Sequence, residues 1–422
     1  MKNQLMRRFL TRVVKQMTLA GWSSPMQKNL AVWSMFLACA AACGGKLNGN
    51  AGANDPEAVT FVSDTSGTNP FRGVSFFINP DYNEKVEATA QKFPAKAATI
   101  RKVEQYPTAV WLDTIAEVSK LPHFLDEAKK QQLASGQPTL SVFVLCNLPN
   151  RDCAAKASAG ELSVEANGEA RYRKEFIDPI VAQFEAHAGQ PIVAIIEPDS
   201  LANMTTNMFE PKCAASAEAY RHSIVYAIKH LNMPNVSVYL DAAHAGWLGW
   251  DGNRVKMATV FRRVLEEAGG PDMIRGFATN VSNFTHLYNR DGAALALTNP
   301  CVNELIYVKM LAETLSMYGM PGKGFIIDTA RNGKGGIRHQ WGNWCNVKGA
   351  GLGERPRADP IRGIDAYFWI KPPGESDGVS DPSQPRFDEM CANIDAAPGA
   401  PQAGKWFESY FLELIRNAVP PL

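Results

Sequence analysis

The sequence predicts a single α/β body folded as a distorted (β/α) barrel of about seven parallel strands. From residue 69 onward, short apolar runs rich in β-forming residues alternate with longer helical patterns, which is typical of βα units around a parallel sheet. The runs are apolar on both faces, as expected for strands that are covered on both sides. No G-x-G-x-x-G turn follows the first run, which argues against an open dinucleotide-binding sheet.

The predicted strands succeed one another along the chain without an intervening module. In order they occupy residues 73–78, 108–112, 140–146, 192–196, 236–240, 276–279, 324–327 and 366–370. The helical stretches between them include 171–187, 215–231, 254–268 and 302–318. Seven or eight consecutive units in one body favour a closed barrel over a doubly wound sheet.

Charge and metal-ligand patterns exclude several classes of function. The 43 basic and 42 acidic residues give a net charge of +1, so nucleic acid and anionic membranes are poor partners. No C-x-x-C pair and no H-E-x-x-H motif occurs, and we therefore expect neither a metal nor a cofactor. A G-x-S-x-G nucleophile elbow and a phosphate-binding loop are also missing.

The N-terminal part predicts export. Residues 30–43 form an apolar run of signal-peptide length that ends in Cys43, so we assign 1–43 to a targeting segment, with Met26 as a candidate true start. Cleavage and lipidation of Cys43 are both compatible with this pattern, and a buried helix is the alternative. Residues 44–68 predict a flexible spacer and 69–422 the catalytic domain. The expected location is secreted or periplasmic, or membrane-anchored if Cys43 is lipidated.

Acidic residues follow five of the predicted strands. In a βα barrel these strand ends converge on one rim, where such proteins place their active sites. An isolated acidic residue after a strand often caps the next helix, but five acidic strand ends on one rim favour carboxylate chemistry. These acidic residues are Asp152, Glu197, Asp199, Asp241, Asp328, Glu375 and Asp377.

Tryptophans at the same strand ends indicate a sugar ligand. Trp111, Trp247, Trp250 and Trp344 fall at or just after predicted strands. A pyranose ring has apolar faces that can stack on indole, although burial in the core is the alternative for each tryptophan. Paired carboxyl groups beside aromatic platforms fit glycoside hydrolysis.

Long motifs at these positions resemble the glycoside hydrolase family 6 cellulases. The similarity extends from Asn69 to the C-terminus. The motifs are Trp111-Leu112-Asp113, Leu148-Pro149-Asn150-Arg151-Asp152-Cys153, Ile196-Glu197-Pro198-Asp199-Ser200, Leu240-Asp241-Ala242-Ala243-His244-Ala245-Gly246-Trp247, Trp341-Gly342-Asn343-Trp344-Cys345-Asn346 and Lys371-Pro372-Pro373-Gly374-Glu375-Ser376-Asp377.

The resemblance implies an inverting β-1,4-glucanase that acts on cellulose or cello-oligosaccharides, needs no cofactor and is a monomer. It implies that Asp199 is the general acid, that Asp152 assists protonation, and that Asp377 is the candidate base. By motif position, the implied substrate-binding residues are Trp111, Asp113, Asn207, His244, Trp247, Asn283, Trp344, Lys371 and Glu375, and Ser158 would help to position the water. Their positions after a predicted strand add Asp241 and Trp250 as candidate substrate-binding residues. Cys146 stands where many members of the family have tyrosine.

The resemblance also bears on the cysteines and on the mode of attack. It implies disulfides between Cys153 and Cys213 and between Cys345 and Cys391, which leaves Cys146 and Cys301 to pair or stay free. The stretches 152–170 and 371–406 are full length, which favours a roofed cleft and an exo-acting cellobiohydrolase. An endoglucanase of the same family and a non-catalytic glucan-binding lipoprotein are the alternatives.

Overall fold

The computed structural model describes residues 69–289 and 298–422. The predicted targeting segment and spacer, residues 1–68, lie outside the described residues. No helix among the described residues is both long enough and apolar enough to cross a membrane.

The centre of the fold is a curled, mostly parallel sheet, which confirms the predicted class. Its strands, β1 to β9, are Ser75–Phe76, Val110–Leu112, Thr139–Leu145, Ile192–Ile196, Val236–Asp241, Gly276–Thr279, Gly324–Asp328, Arg357–Ile361 and Ile364–Phe368. The order is β1-β3-β4-β5-β6-β7-β9-β8, and β2 pairs with the same edge of β3 as β1.

One short contact joins the residues just before β2 to the residue that follows β9. Thr108 forms a parallel bridge with Trp369, and the Ala109 amide donates to the Trp369 carbonyl at 3.1 Å. Seven parallel strands therefore curl into a ring that is closed only weakly between β2 and the end of β9. This geometry corresponds to the distorted barrel predicted from the sequence.

Helices surround the sheet. The helices α1 to α12 are Pro80–Lys92, Ala97–Arg101, Ile115–Val118, Leu121–Ser135, Gly168–Arg171, Asp178–Ala186, Ser200–Thr206, Pro211–Leu231, Ala245–Leu248, Asp251–Ala268, Glu304–Met317 and Glu408–Arg416. Alternate residues of the strands face two different cores. Val142, Val193 and Ile326 fill the barrel interior, whereas Phe143 and Ala194 pack outward against the helices. This double burial explains the continuous apolar runs in the sequence.

The antiparallel strand β8 was not predicted. It pairs with β9, and Arg362 and Gly363 lie between the two strands. Its residues are exposed or half-buried and include Asp359 and Pro360, so no apolar run marks it in the sequence. It extends one edge of the sheet beyond the seven-stranded ring and takes no part in the cleft.

Candidate active site

A cleft of about 400 Å³ lies at the carboxyl ends of the parallel strands. Small and aromatic residues form much of its wall, and carboxylates from several strand ends face it. Most of the predicted site residues line it. They are Trp111, Asp113, Asp152, Ser158, Asp199, Asn207, His244, Trp247, Asn283, Trp344, Lys371, Glu375 and Asp377.

Asp199 sits on the tight turn between β4 and α7. Its backbone adopts the left-handed region with φ 66°, and its amide donates to Asp241 Oδ2 at 3.0 Å. Burial raises the pKa of the Asp199 carboxyl well above its usual range, and the neighbouring carboxylates of Asp241 and Asp152 raise it further. Asp199 can therefore hold a proton near neutral pH.

Asp241, at the end of β5, lies behind Asp199 and is not among the residues that line the cleft. Its Oδ2 accepts the amides of Asp199 and Ala243, and its Oδ1 is buried without a hydrogen-bond donor in the described part of the chain. Burial raises the pKa of Asp241 to about 7, although these two amides oppose the shift. The structure thus places Asp241 as a neighbour of Asp199, whereas its position after a predicted strand had suggested a sugar contact.

Asp152 is held in the cleft by the segment that follows β3. Its Oδ2 accepts the hydroxyl of Ser158, and its backbone is also left-handed, with φ 56°. The buried guanidinium of Arg151 donates to the carbonyls of Asp113, Cys146 and Ser158. Arg151 therefore ties three separate backbone segments together beside Asp152.

Asp377 lies on a different wall of the cleft and has a cationic partner. Arg331 Nη1 contacts both of its oxygens, at 2.8 and 2.7 Å, and the Asn346 amide donates to Oδ2 at 2.8 Å. Arg331 is fully buried, and its guanidinium lies 4.3 Å from the centre of the Phe284 ring. The Asp377 carboxylate is therefore fixed by an ion pair and a backbone donor.

The aromatic walls of the cleft are oriented by their polar edges. Trp111 Nε1 donates to the Ile370 carbonyl at 2.8 Å, and Lys371 Nζ lies 5.4 Å from the Trp111 ring centre. Trp247 Nε1 donates to Thr206 Oγ1 at 2.8 Å. These bonds hold the indole rings in place, so the apolar faces can meet a sugar without reordering.

His244 is buried next to the cleft and is neutral in this setting. Burial lowers its pKa well below the usual range, and the cation of Arg338 lowers it further. Asn283 Nδ2 donates to His244 Nε2 at 3.0 Å, which assigns the proton to Nδ1, on the side of Thr285 Oγ1. His244 is thus suited to hydrogen bonding with hydroxyls and not to carrying charge.

Trp250 does not line the cleft, although it was predicted to bind substrate. It packs edge-on against Trp341, with ring centres 5.4 Å apart, and Nε1 donates to Thr298. Trp341 lines the cleft with 38% of its surface exposed. Trp341 was not predicted as a site residue, although it begins the motif that contains Trp344.

Two buried glutamates organise the site without lining the cleft. Glu197 accepts the amides of Asn147 and Leu148, and burial raises its pKa to about 7. Glu304 accepts the Ala245 amide at the start of α9, and burial raises its pKa to about 8. Glutamate is almost never fully buried without such partners. Glu197 was already among the acidic residues that follow predicted strands, whereas no sequence signal marks Glu304.

Both disulfides implied by the resemblance are present, and they secure two segments that bound the cleft. Cys153 joins Cys213 of α8, and Cys345 joins Cys391. The two segments, 152–170 and 371–406, also touch each other. The Lys156 amide donates to Asp388 Oδ2 at 2.8 Å, and Ala157 packs against the second disulfide.

Cys146 and Cys301 are unpaired and buried. Cys146 lines the cleft close to Asp113 and Asp152, and burial raises the pKa of its thiol well above the usual range. Among the described residues, no group of histidine, cysteine and acidic side chains is arranged to hold a metal ion. The cleft combines a carboxyl with a raised pKa, an ion-paired carboxylate and aromatic platforms, which suits acid-base cleavage of a sugar chain.

Comparisons with known proteins agree with this chemistry. Residues 71–418 match the family described as glycosyl hydrolases family 6. Exoglucanase 3 of Agaricus bisporus is 43% identical over 358 residues, covering 84% of this chain and 80% of that protein. The 1,4-beta-D-glucan cellobiohydrolase CEL6C of Podospora anserina is 43% identical over 370 residues, covering 86% and 90%. The solved cellobiohydrolase II of Humicola insolens, in complex with glucose and cellotetraose, matches with 39% identity and a TM-score of 0.81, covering 84% of this chain and all of that one.

Proposed function

This chain belongs to glycosyl hydrolases family 6, and we propose that it cleaves β-1,4-glucan by inversion and releases cellobiose from non-reducing ends. The observation that carries the proposal is the position of Asp199 in a cleft lined with tryptophans, where burial and the carboxylates of Asp241 and Asp152 raise the pKa of its carboxyl. A glycosidic oxygen leaves poorly unless it is protonated, so the cleft needs an acid that keeps its proton near neutrality.

Asp199 gives its proton to the leaving oxygen. As the bond breaks, positive charge develops on the sugar ring, and the carboxylate of Asp152 lies in the same cleft to stabilise that charge. The contact with Ser158 holds Asp152 in position, and the Ser158 hydroxyl also lies where it can orient water. Asp241 acts through Asp199, because its charge helps to keep the acid protonated.

Inversion requires water to attack from the opposite face of the sugar while another group receives its proton. We assign this role to Asp377, which comes from a different strand end and lines the same cleft. Inverting enzymes separate acid and base by about 6.5–9.5 Å to leave space for that water. Because Arg331 and the Asn346 amide already engage both oxygens of Asp377, the proton reaches it through water.

Exo action is supported by the two segments that meet beside the cleft. Each is secured by its own disulfide, and the Lys156–Asp388 contact joins them. A cleft bounded in this way admits a chain end more readily than the middle of a polymer. The names of the relatives, exoglucanase and cellobiohydrolase, point the same way.

Two measurements test the proposal. Proton NMR of the first product from a soluble cello-oligosaccharide should show the α-anomer, and an initial β-anomer would contradict inversion. With carboxymethylcellulose, exo action should release soluble sugar while viscosity falls slowly. A rapid fall in viscosity with little soluble sugar would identify an endoglucanase instead, and no hydrolysis at all would favour the non-catalytic alternative.

We also propose that the chain is exported. The two disulfides support this location, because such bonds persist in oxidising compartments. Mass spectrometry of the mature N-terminus would locate the cleavage site and would reveal whether Cys43 carries a lipid.

A further inference from the structure

We propose that Lys85 is a further substrate-positioning residue, which acts by fixing the carboxylate of Glu375 where that carboxylate faces the cleft. Lys85 Nζ donates to Glu375 Oε1 at 2.9 Å. Glu375 lines the cleft and Lys85 does not. This inference rests on the proposed function, because it assigns Glu375 to binding a glucan chain.

Helix α1 presents one face to the segment that carries Glu375. Tyr82 OH donates to the Pro373 carbonyl at 2.9 Å, and Thr89 Oγ1 accepts from Trp406 Nε1 at 3.0 Å. Lys85 lies between Tyr82 and Thr89 at helical spacing, so the three contacts lie in a row on the same face. The helix thus supports this edge of the cleft at three successive positions.

The backbone of Glu375 is held independently of Lys85. It pairs with Trp406 in an antiparallel bridge. The preceding Gly374 has φ 97°, and a Cβ there would come within 2.8 Å of the Trp406 ring. The position of the Glu375 main chain is therefore set by packing. The direction of its flexible side chain is set by the ion pair with Lys85, which offsets the entropy lost when that side chain is ordered.

A fixed carboxylate can accept hydrogen bonds from the hydroxyls of a sugar, and it does so better when it is already ordered. Glu375 shares the cleft with Lys371 and Trp111, which form a cation–aromatic pair. A sugar stacked on this tryptophan would present its hydroxyl edge to the neighbouring charged groups. Losing Lys85 should therefore weaken substrate binding, while the bond-breaking groups around Asp199 stay intact.

The same helix supplies a matched control. Lys92 Nζ contacts Glu408 at 2.8 Å, so it also links α1 to a distant part of the chain. Neither residue of this second pair lines the cleft. Any general effect of removing a lysine ion pair from α1 should therefore appear in Lys92→Met as well.

The test compares Lys85→Met, Lys85→Arg and Lys92→Met with the unaltered enzyme. Steady-state kinetics on cellotetraose should show KM raised roughly three- to tenfold by Lys85→Met, with kcat changed less than about twofold. Lys85→Arg keeps the cation and should restore most of the affinity, and Lys92→Met should leave KM unchanged. Calorimetric titration with cellotetraose, in an Asp199→Ala background, should report the same order of affinities without turnover.

An unchanged KM and affinity in Lys85→Met would overturn the inference, and so would an equal effect of Lys92→Met or a failure of Lys85→Arg to restore binding. If the unaltered enzyme bound cellotetraose but did not hydrolyse it, the proposed reaction would fail. The calorimetric comparison would then still decide the role of Lys85.

Discussion

Two walls of the cleft carry carboxyl groups in opposite environments. On one wall, Asp199 is buried near the carboxylates of Asp241 and Asp152, and burial and these carboxylates raise its pKa. On the other, Asp377 contacts the buried guanidinium of Arg331 and the Asn346 amide. The residue type is the same, and the neighbours decide what each can do. One wall carries a carboxyl whose pKa is raised, and the other carries a carboxylate held in an ion pair.

The proposed reaction needs such a contrast, because one cleft must supply an acid and a base at the same pH. A carboxyl group favours its neutral form when other carboxylates surround it and no cation is near. It favours its charged form when it is part of an ion pair. Five substitutions would break or sharpen this difference, and the expected effects become smaller from one to the next.

Asp199→Ala removes the proton donor from the first wall. We expect kcat on cello-oligosaccharides to fall by about 10²–10⁴-fold, because no other group replaces the acid. Cellotetraose affinity, measured by calorimetry, should stay close to that of the unaltered enzyme, which also serves as the control for folding. Hydrolysis at an undiminished rate would show that the acid lies elsewhere.

Arg331→Met removes the cation from the second wall and leaves Asp377 buried without it. An uncompensated buried charge typically costs about 3–5 kcal/mol, so the free energy of unfolding in urea should fall by that order. The double variant Arg331→Met/Asp377→Asn should recover part of the loss, because the stranded charge is gone. A single variant as stable as the unaltered protein would contradict the importance of this ion pair.

Asp241→Asn removes a negative charge next to the acid. Activity requires protonated Asp199 and is lost as the pH rises through its pKa. Without the repulsion from Asp241, Asp199 gives up its proton more easily, so the alkaline limb of kcat/KM should move to lower pH by roughly one unit. The acidic limb should stay in place. An alkaline limb that does not move, or that moves upward, would show that Asp241 does not tune the acid.

Asn343→Asp places a second carboxyl beside the second wall. Asn343 Nδ2 donates to both oxygens of Asp395, at 3.0 and 2.9 Å, and both residues are buried. Two carboxylates in contact repel when both are ionised but can share a proton in acid. The loss in Tm should therefore be larger at pH 8 than at pH 5, and correspond to about 1–3 kcal/mol at pH 8.

Gln91→Glu is the exposed counterpart, because Gln91 Nε2 donates to Glu87 on the surface of α1 at 3.1 Å. Its effect should be smaller and should fade at high salt. An equal loss of Tm in both variants would show that burial does not matter for this contact.

The parallel strands were predictable because burial on both faces requires continuous apolar runs. The antiparallel β8 was not, since its half-exposed residues carry no such signal. The sequence predicted a barrel, but it did not predict which residues pair to close it. The actual seam rests on the pairing of Thr108 with Trp369, which joins positions 261 residues apart and depends on how far the sheet curls.

Within the site, the sequence predicted which residues take part but not which residues contact them. Asp199, Asp152 and Asp377 follow strands and belong to long motifs, so their convergence on one rim could be expected. The orientation of Asp241 toward the Asp199 amide could not be expected, because a carboxylate at a strand end can face the cleft or the next turn equally well. The partners Arg331 and Asn346 come from separate segments, and only tertiary structure shows that both reach Asp377.

The two segments that bound the cleft, 152–170 and 371–406, contact each other without a covalent bond between them. A disulfide attaches each segment to another part of the chain: Cys153–Cys213 for the first and Cys345–Cys391 for the second. The Lys156–Asp388 hydrogen bond and the packing of Ala157 connect the two segments to each other. Such a contact can break and re-form while the disulfides keep both segments in place. A glucan chain could then enter the cleft from the side during a brief opening, as well as by its end. We therefore expect a small share of internal cuts, which should increase when the contact between the two segments is weakened.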